Sequence, residues 1–386
     1  MKRAKVGASP RKVAMALFVS TCASRWVAAL VVSLFLLIGA APADNKLEVQ
    51  EGDVELHDFV FQSGERLPVL NLHYAAIGSP RRDAAGKVSN AMLLLHGTAG
   101  VGKSFLAPTL AENLFGRGQP LDAERYYIVL PDGIGAGGST KPSDGLHAGF
   151  PHYGYIDQVE AQHAMLERMG IDRVKLVSGI SQGGMQTWLW AERFPDAMDA
   201  LVPIGCMPMQ ISGRNLMWRQ VIIRAIRNDP GWHEGEYDPA HPPTVWMQTA
   251  APLIMVMASN PEKLQAAGPD RARTLAFYDQ LVAQYNGRDP NDYLYDFESS
   301  RDYDPVTGID RIKAPMLAIN FSDDQFNPTQ FAVTQQTVAR LPSARLVVMP
   351  GGDAGYGHIA IFHAEIWTKE LGTFLDEVPG WKEAGK

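Results

Sequence analysis

The stretch Val174 to Gly184, Val-Lys-Leu-Val-Ser-Gly-Ile-Ser-Gln-Gly-Gly, constrains the fold more than any other part of the chain. An apolar run feeds into Gly179-Ile180-Ser181-Gln182-Gly183, and a helical pattern from Met185 to Phe194 follows. Strand, sharp turn and helix in that order make the elbow that lifts a serine hydroxyl above a sheet edge. The serine must take a strained backbone conformation, so the flanking positions have to be glycine, where a Cβ would strike the neighbouring strand or helix. The N-terminus of the helix then favours negative charge beside the hydroxyl. G-x-S-x-G also arises by chance in ordinary turns, so its surroundings decide its meaning.

A hydroxyl is a weak nucleophile unless a base takes its proton, and the base needs an acid to fix its tautomer. Behind such an elbow the partners follow as Ser, then Asp or Glu, then His. Pro315 to Phe321 reads as a buried strand and runs into Ser322-Asp323-Asp324-Gln325-Phe326-Asn327-Pro328. Arg345 to Pro350 reads as another strand, followed by a glycine-rich loop holding Gly357-His358. Acid and base therefore each lie just past the C-terminal end of a predicted strand, where open α/β sheets place their sites. Either residue alone would read as a solvated loop side chain, but the ordered set of three points to Ser181, one of the adjacent acids Asp323 and Asp324, and His358.

A developing oxyanion needs two backbone N–H donors, each worth on the order of 3 kcal/mol in serine hydrolases. Gln182, the residue after the nucleophile, supplies one. The loop His96-Gly97-Thr98-Ala99-Gly100, behind the strand-like run Ala91–Leu95, supplies the other, assigned to Thr98. Two glycine loops imitate nucleotide motifs. Gly97 to Ser104 satisfies the Walker A pattern with Lys103, and Gly133 to Gly138 matches G-x-G-x-x-G. A dinucleotide fingerprint must open a helix, whereas Lys141-Pro142-Ser143-Asp144-Gly145 is turn chemistry. A nucleotide-binding reading also leaves the elbow and both downstream loops unexplained. Both loops are expected instead at the mouth of one active site, with no cofactor and no metal, since no His/Cys cluster has ligand spacing.

Residues 1–43 are a different material. Lys2, Arg3, Lys5, Arg11 and Lys12 form a basic head, Val27 to Ala41 is almost wholly apolar, and Ala41-Pro42-Ala43 offers small residues for cleavage. That is the layout of a secretory signal peptide, and the apolar stretch is shorter than the ~20 residues of a spanning helix. An exported protein, periplasmic or secreted, without stable membrane insertion after cleavage, is expected. The formal charge of −7 becomes near −13 once the six basic leader residues are removed. This argues against nucleic acid or an anionic membrane as partner. Cys206 is then the only cysteine left, so no intrachain disulfide forms and stability has to come from a large core. A homodimer is compatible with the sequence.

The remaining chain alternates strands and helices. Val54–Phe61 and Leu70–Ile77 read as an antiparallel opening pair; Met92–Leu95, Tyr127–Leu130, Val174–Val177 and Ala200–Ile204 read as core strands. Helices are predicted over Asp157–Met169, Gln182–Phe194, Thr329–Arg340 and Ile359–Leu375. Between Met207 and about Val306 the strand rhythm stops and helical periodicity takes over. The expected organisation is a mostly parallel eight-stranded sheet flanked by helices, built from residues 44–206 and 307–386, with a helical lid over 207–306.

At this level the chain resembles the homoserine O-acetyltransferase branch of the α/β-hydrolase superfamily over essentially all of the mature sequence. Ser181-Gln182-Gly183-Gly184-Met185-Gln186 is similar to that family's elbow, and Arg224 to Trp232 followed by Gly235-Glu236-Tyr237 to its lid signature. The resemblance implies an α/β-hydrolase fold, a covalent acyl-enzyme and His358 as base. Its acid loop maps onto Asp324 when counted back from Pro328, and onto Asp323 when Phe326 is aligned. Two features depart from the family. The Asp that usually follows the base to hold a substrate ammonium is Ile359, and the lid Arg that usually meets a substrate carboxylate is Ile223, with Arg224 one step off. Both handles for an amino acid are absent, so an uncharged acyl or alcohol group is expected.

The reading that results is a serine hydrolase acting on a small-molecule ester or related acyl bond. An O-acyltransferase delivering the same acyl-enzyme to an alcohol is the alternative, and a binding module with a dead elbow is a third reading.

Overall fold

The computed structural model describes residues 47–352 and 355–381; the leader expected over residues 1–43 lies outside them. Eight strands make one sheet in the order β1-β2-β4-β3-β5-β6-β7-β8. They are β1 (Val49–Val60), β2 (Arg66–Ile77), β3 (Ala91–Leu95), β4 (Tyr127–Pro131), β5 (Val174–Ile180), β6 (Met198–Ile204), β7 (Met316–Phe321) and β8 (Ala344–Met349). β1 pairs antiparallel with β2, and β2 antiparallel with β4. Every other pairing is parallel. All residues of β3, β4 and β7 are buried, which is why they read as unbroken apolar runs: helices cover both faces of a parallel sheet. One apolar cluster fills each side. Trp188, Trp190 and Met165 belong to the first, and Phe115, Trp367 and Phe374 to the second.

The sheet is flanked by α1 (Pro108–Leu114), α2 (Tyr155–Arg168) and α3 (Gln182–Arg193). Between β6 and β7 the chain forms α4 (Gly213–Arg227), α5 (Val245–Thr249), α6 (Ala251–Ala258), α7 (Pro261–Ala267), α8 (Arg271–Ala283) and α9 (Pro290–Glu298), with short 3-10 turns and no described strand. These helices enclose their own apolar cluster, including Trp218, Ile222, Trp246, Tyr285 and Phe297. Helix α9 joins insertion to core: Tyr293, Leu294 and Phe297 pack in the lid cluster, while Tyr295 packs in the core. No described helix is long and apolar enough to cross a membrane.

Three local expectations are corrected. α1, begun by Pro108 in the first turn, went unanticipated. The helix predicted over Thr329–Arg340 is a 3-10 turn at Thr329–Phe331 and then α10 (Val333–Val338), separated by Ala332 in the left-handed region at φ 53°. The helix predicted over Ile359–Leu375 is likewise divided into 3-10 turns at Gly357–Phe362 and Ala364–Ile366 and a final α11 (Thr368–Glu377). A straight helix rises ~1.5 Å per residue and could not turn back so soon. The break at His363 lets one segment seat His358 at the site and the other bury Trp367, Leu371 and Phe374 in the core.

Candidate active site

The elbow follows from steric necessity. A Cβ on Gly179 would lie 2.2 Å from the Gly183 carbonyl, and one on Gly183 would lie 2.0 Å from the Leu95 carbonyl oxygen. Ser181 itself sits at φ 54°, ψ −114°, a conformation that persists only when packing over-determines it. It caps α3, so the Gln182 amide is the first helical N–H and has no intrahelical acceptor.

Parallel register brings the other loops alongside. Leu95 pairs with Gly179, Ile180 with Ile204 and Ile204 with Ile319, so the chain leaves β3, β5 and β7 on one edge. β8 pairs with β7 through Phe321–Met349 and delivers the His358 loop to the same edge. His358 Nε2 lies 2.9 Å from Ser181 Oγ, and its Nδ1 lies 2.7 Å from Asp324 Oδ2. Asp324 is fixed from three more directions: its Oδ1 accepts from the amides of Phe326 (2.8 Å) and Asn327 (3.1 Å), and its Oδ2 from Asn327 Nδ2 (2.9 Å). Burial pushes the Asp324 carboxyl up, but the His358 charge and these donors outweigh it and hold the group below its ordinary value. It is therefore an anion built to orient an imidazole.

Asp323 does a different job. Its Oδ2 accepts from the Gly357 amide and from Asn260 Nδ2, each at 2.9 Å, pinning the start of the His358 loop. Of the two carboxylates left open by the sequence, the structure joins Asp324 to the histidine. Thr98 lines the cavity with Ser181, and a Cβ on its neighbour Gly97 would sit 3.4 Å from Ser181 Cβ, so the loop lies against the nucleophile as expected.

This cavity, of about 260 Å³, lies between the sheet edge and the lid. Its walls include Met185, Trp218, Ile254, Tyr293, Phe297 and Phe326, and Ile359 stands beside the base. Ile223 does not line it; that side chain is buried in the lid cluster. Arg219, one helical turn earlier, does line it, and the sequence reading missed this. Its Nε donates to Asn215 Oδ1 at 2.9 Å and its guanidinium lies 5.0 Å over the Trp218 ring. The wall is therefore apolar with two guanidinium groups, buried Arg219 and exposed Arg288, and not uniformly uncharged. The period-four relation of Asn215, Arg219 and Ile223 was the available signal. Among the described residues no group of three His, Cys, Asp or Glu side chains could hold a metal.

The two glycine loops are placed differently from expectation. The loop at Gly97–Gly100 reaches the serine cavity, whereas Gly135–Gly137 line an adjoining cavity with Lys141, Ser143 and Asp292. The two cavities meet at Ala99, Arg288 and Tyr293. Lys103 is half-exposed and pairs with Glu51 at 3.0 Å, a surface residue rather than a phosphate clamp.

Asp292 in the second cavity accepts from both the amide (2.9 Å) and the hydroxyl (2.8 Å) of Ser143. Burial, reinforced by Asp289, nevertheless pushes its carboxyl up to about 7. An acid whose folded pKa is raised holds its proton in the native state over the window from about 4 to about 7, so its contribution to stability is lost as pH rises through that window. Asp292→Asn should therefore leave the melting temperature near wild type at pH 4.5 and raise it by a few degrees at pH 8. Equal shifts at both pH values would contradict the assignment.

Residues 90–363 match the family described as alpha/beta hydrolase fold. A homoserine O-acetyltransferase of Haloarcula marismortui is 30% identical over 354 residues, covering 82% of this chain and 86% of that protein. Among solved structures, an acetylester hydrolase from Corynebacterium glutamicum superposes with a TM-score of 0.74 at 22% identity, over 85% of this chain and 96% of the other. A homoserine O-acetyltransferase from Bacillus anthracis gives a TM-score of 0.74 at 19% identity, over 86% and 98%.

Proposed function

Because the chain belongs to the α/β-hydrolase family, in its homoserine O-acetyltransferase-like branch, and is thus an enzyme of the hydrolase and acyltransferase kind, we propose that it is an exported serine hydrolase cleaving an ester or related acyl bond through an acyl-enzyme on Ser181. The observation that carries the reading is the continuous Ser181–His358–Asp324 chain, 2.9 Å and 2.7 Å, opening into a lidded cavity. Ser181 Oγ attacks the carbonyl carbon as its proton passes to His358 Nε2. The Thr98 and Gln182 amides stabilise the oxyanion, and Asp324 holds the imidazolium formed at that moment. Collapse breaks the bond to the alcohol oxygen, which leaves with the proton from His358. Water then attacks the acyl carbon as its proton passes to His358, and collapse breaks the bond to Ser181 Oγ, which takes that proton back as the acid leaves. Export rests on the leader at residues 1–43.

Delivery of the acyl group to an alcohol instead of water is the second reading, favoured by the identity to a homoserine O-acetyltransferase. Against amino-acid acceptors stands Ile359, an apolar contact beside the base where a carboxylate would have to meet an ammonium. A site without that partner discriminates poorly for the charged group. The protein is expected to hydrolyse p-nitrophenyl esters of short neutral acids, in keeping with the cavity's size. It is expected to show no homoserine-dependent release of CoA from acetyl-CoA. Homoserine-dependent release on the order of 1 s⁻¹ or faster would overturn hydrolysis in favour of acyl transfer.

A further inference from the structure

The elements that face the nucleophile include one the reaction does not use directly. Asp296 projects from lid helix α9 and is buried, only 8% exposed. Its Oδ2 accepts the Ala99 amide at 2.7 Å across nearly 200 residues of sequence. Ala99 is no glycine, yet it stands at φ 57°, in the left-handed region that a Cβ disfavours. It follows Thr98 directly, so its conformation sets the orientation of the peptide groups in this turn. The side chain of Gln182 faces the same carboxylate. One aspartate therefore touches the residues at both halves of the oxyanion site. From the core side, His96 Nδ1 donates to the Gly97 carbonyl at 2.8 Å and its Nε2 accepts the Gly133 amide at 2.9 Å. Burial pushes the Asp296 carboxyl up and outweighs the charges that act on it, those of His96 and then of Arg219 on the cavity wall.

We propose that Asp296 is a positioning residue: through the Ala99 amide and the Gln182 side chain it locks the oxyanion loop in its working geometry, so that the lid, and not the core alone, completes the site. The proposal rests on the serine-hydrolase reading. Its physical basis is that an N–H contributes to an oxyanion only when already aimed at the place where charge develops, and a non-glycine residue in the left-handed region does not hold that aim unaided. Without the acceptor, Ala99 relaxes and Thr98 turns with it. With an asparagine in its place, Oδ1 still accepts the Ala99 amide.

The experiment is inactivation by a fluorophosphonate, whose phosphoryl oxygen occupies the oxyanion position as Ser181 Oγ bonds to phosphorus and fluoride leaves. For Asp296→Leu the maximal inactivation rate should fall about 10²-fold, the scale of losing one donor, with the half-saturating probe concentration within about 3-fold of wild type. Asp296→Asn should recover to within about 5-fold. Should the leucine variant fail to fold, Asp296→Ser, which is too short to reach Ala99, takes its place with the same expectation. A folded leucine or serine variant labelled within 3-fold of the wild-type rate would overturn the proposal, and so would an asparagine variant as slow as the leucine one. If the wild type itself is not labelled, the failure belongs to the serine-hydrolase reading and not to Asp296.

Discussion

Ser181→Ala is expected to lower ester turnover by ~10⁴-fold or more while leaving the fold intact. Removing a triad member leaves only what the oxyanion donors and binding supply, and that residual is small. The packing loss is one hydroxyl, and alanine retains the Cβ already accommodated at φ 54°. The variant should therefore melt close to wild type, and its inactivity cannot be ascribed to unfolding. Initial rates on a short p-nitrophenyl ester, read beside a thermal scan of the same preparation, check both halves. Near-wild-type turnover would end the covalent reading altogether.

Asp324→Asn carries the second large effect. Asp324 accepts at 2.7 Å from His358 Nδ1, which forces the tautomer whose Nε2 can take the serine proton. An asparagine amide can present a donor there instead, and in the best-studied triad this exchange costs ~10⁴-fold. Asp323→Asn should cost no more than about 10-fold, because Asn retains an acceptor for the Gly357 amide that Asp323 now holds. The two variants assayed side by side on one ester decide the matter, and the opposite ranking would transfer the role to Asp323.

That pair also marks how far the sequence reading could go. The inner strands were legible because strands buried on both faces leave apolar runs, and the half-exposed opening strand because its side chains alternate. Serine, base and the order of the partners were legible because the elbow's glycines and the strand ends fix their places. The choice between adjacent Asp323 and Asp324 was not: the two carboxylates point in different directions, Asp324 held toward His358 by the Phe326 and Asn327 amides and Asp323 taken up by the Gly357 amide and Asn260. The helix breaks escaped notice because Ala332 and His363 are not glycine or proline, and tertiary packing imposes their backbone angles. Asp296 escaped for a related reason. In sequence it is one of several acids in α9 and reads as solvated surface, yet the fold buries it against the amide of Ala99.

The place of β8 at the sheet edge has a consequence for how the protein acquires reactivity during its own synthesis. His358 follows Ser181 by 177 positions, with the whole lid encoded between them. A growing chain thus holds the elbow, its helix and the amide-bearing loop long before it holds a base, and the carboxylate arrives on β7, the next-to-last strand to be made. The outermost strand brings the final component. Chemistry is in this sense the last event of assembly. On the Ser181 reading proposed above, a copy that lacks β8 is expected to be inert, and recovered activity after refolding is expected to report the docking of β8 rather than the collapse of the core.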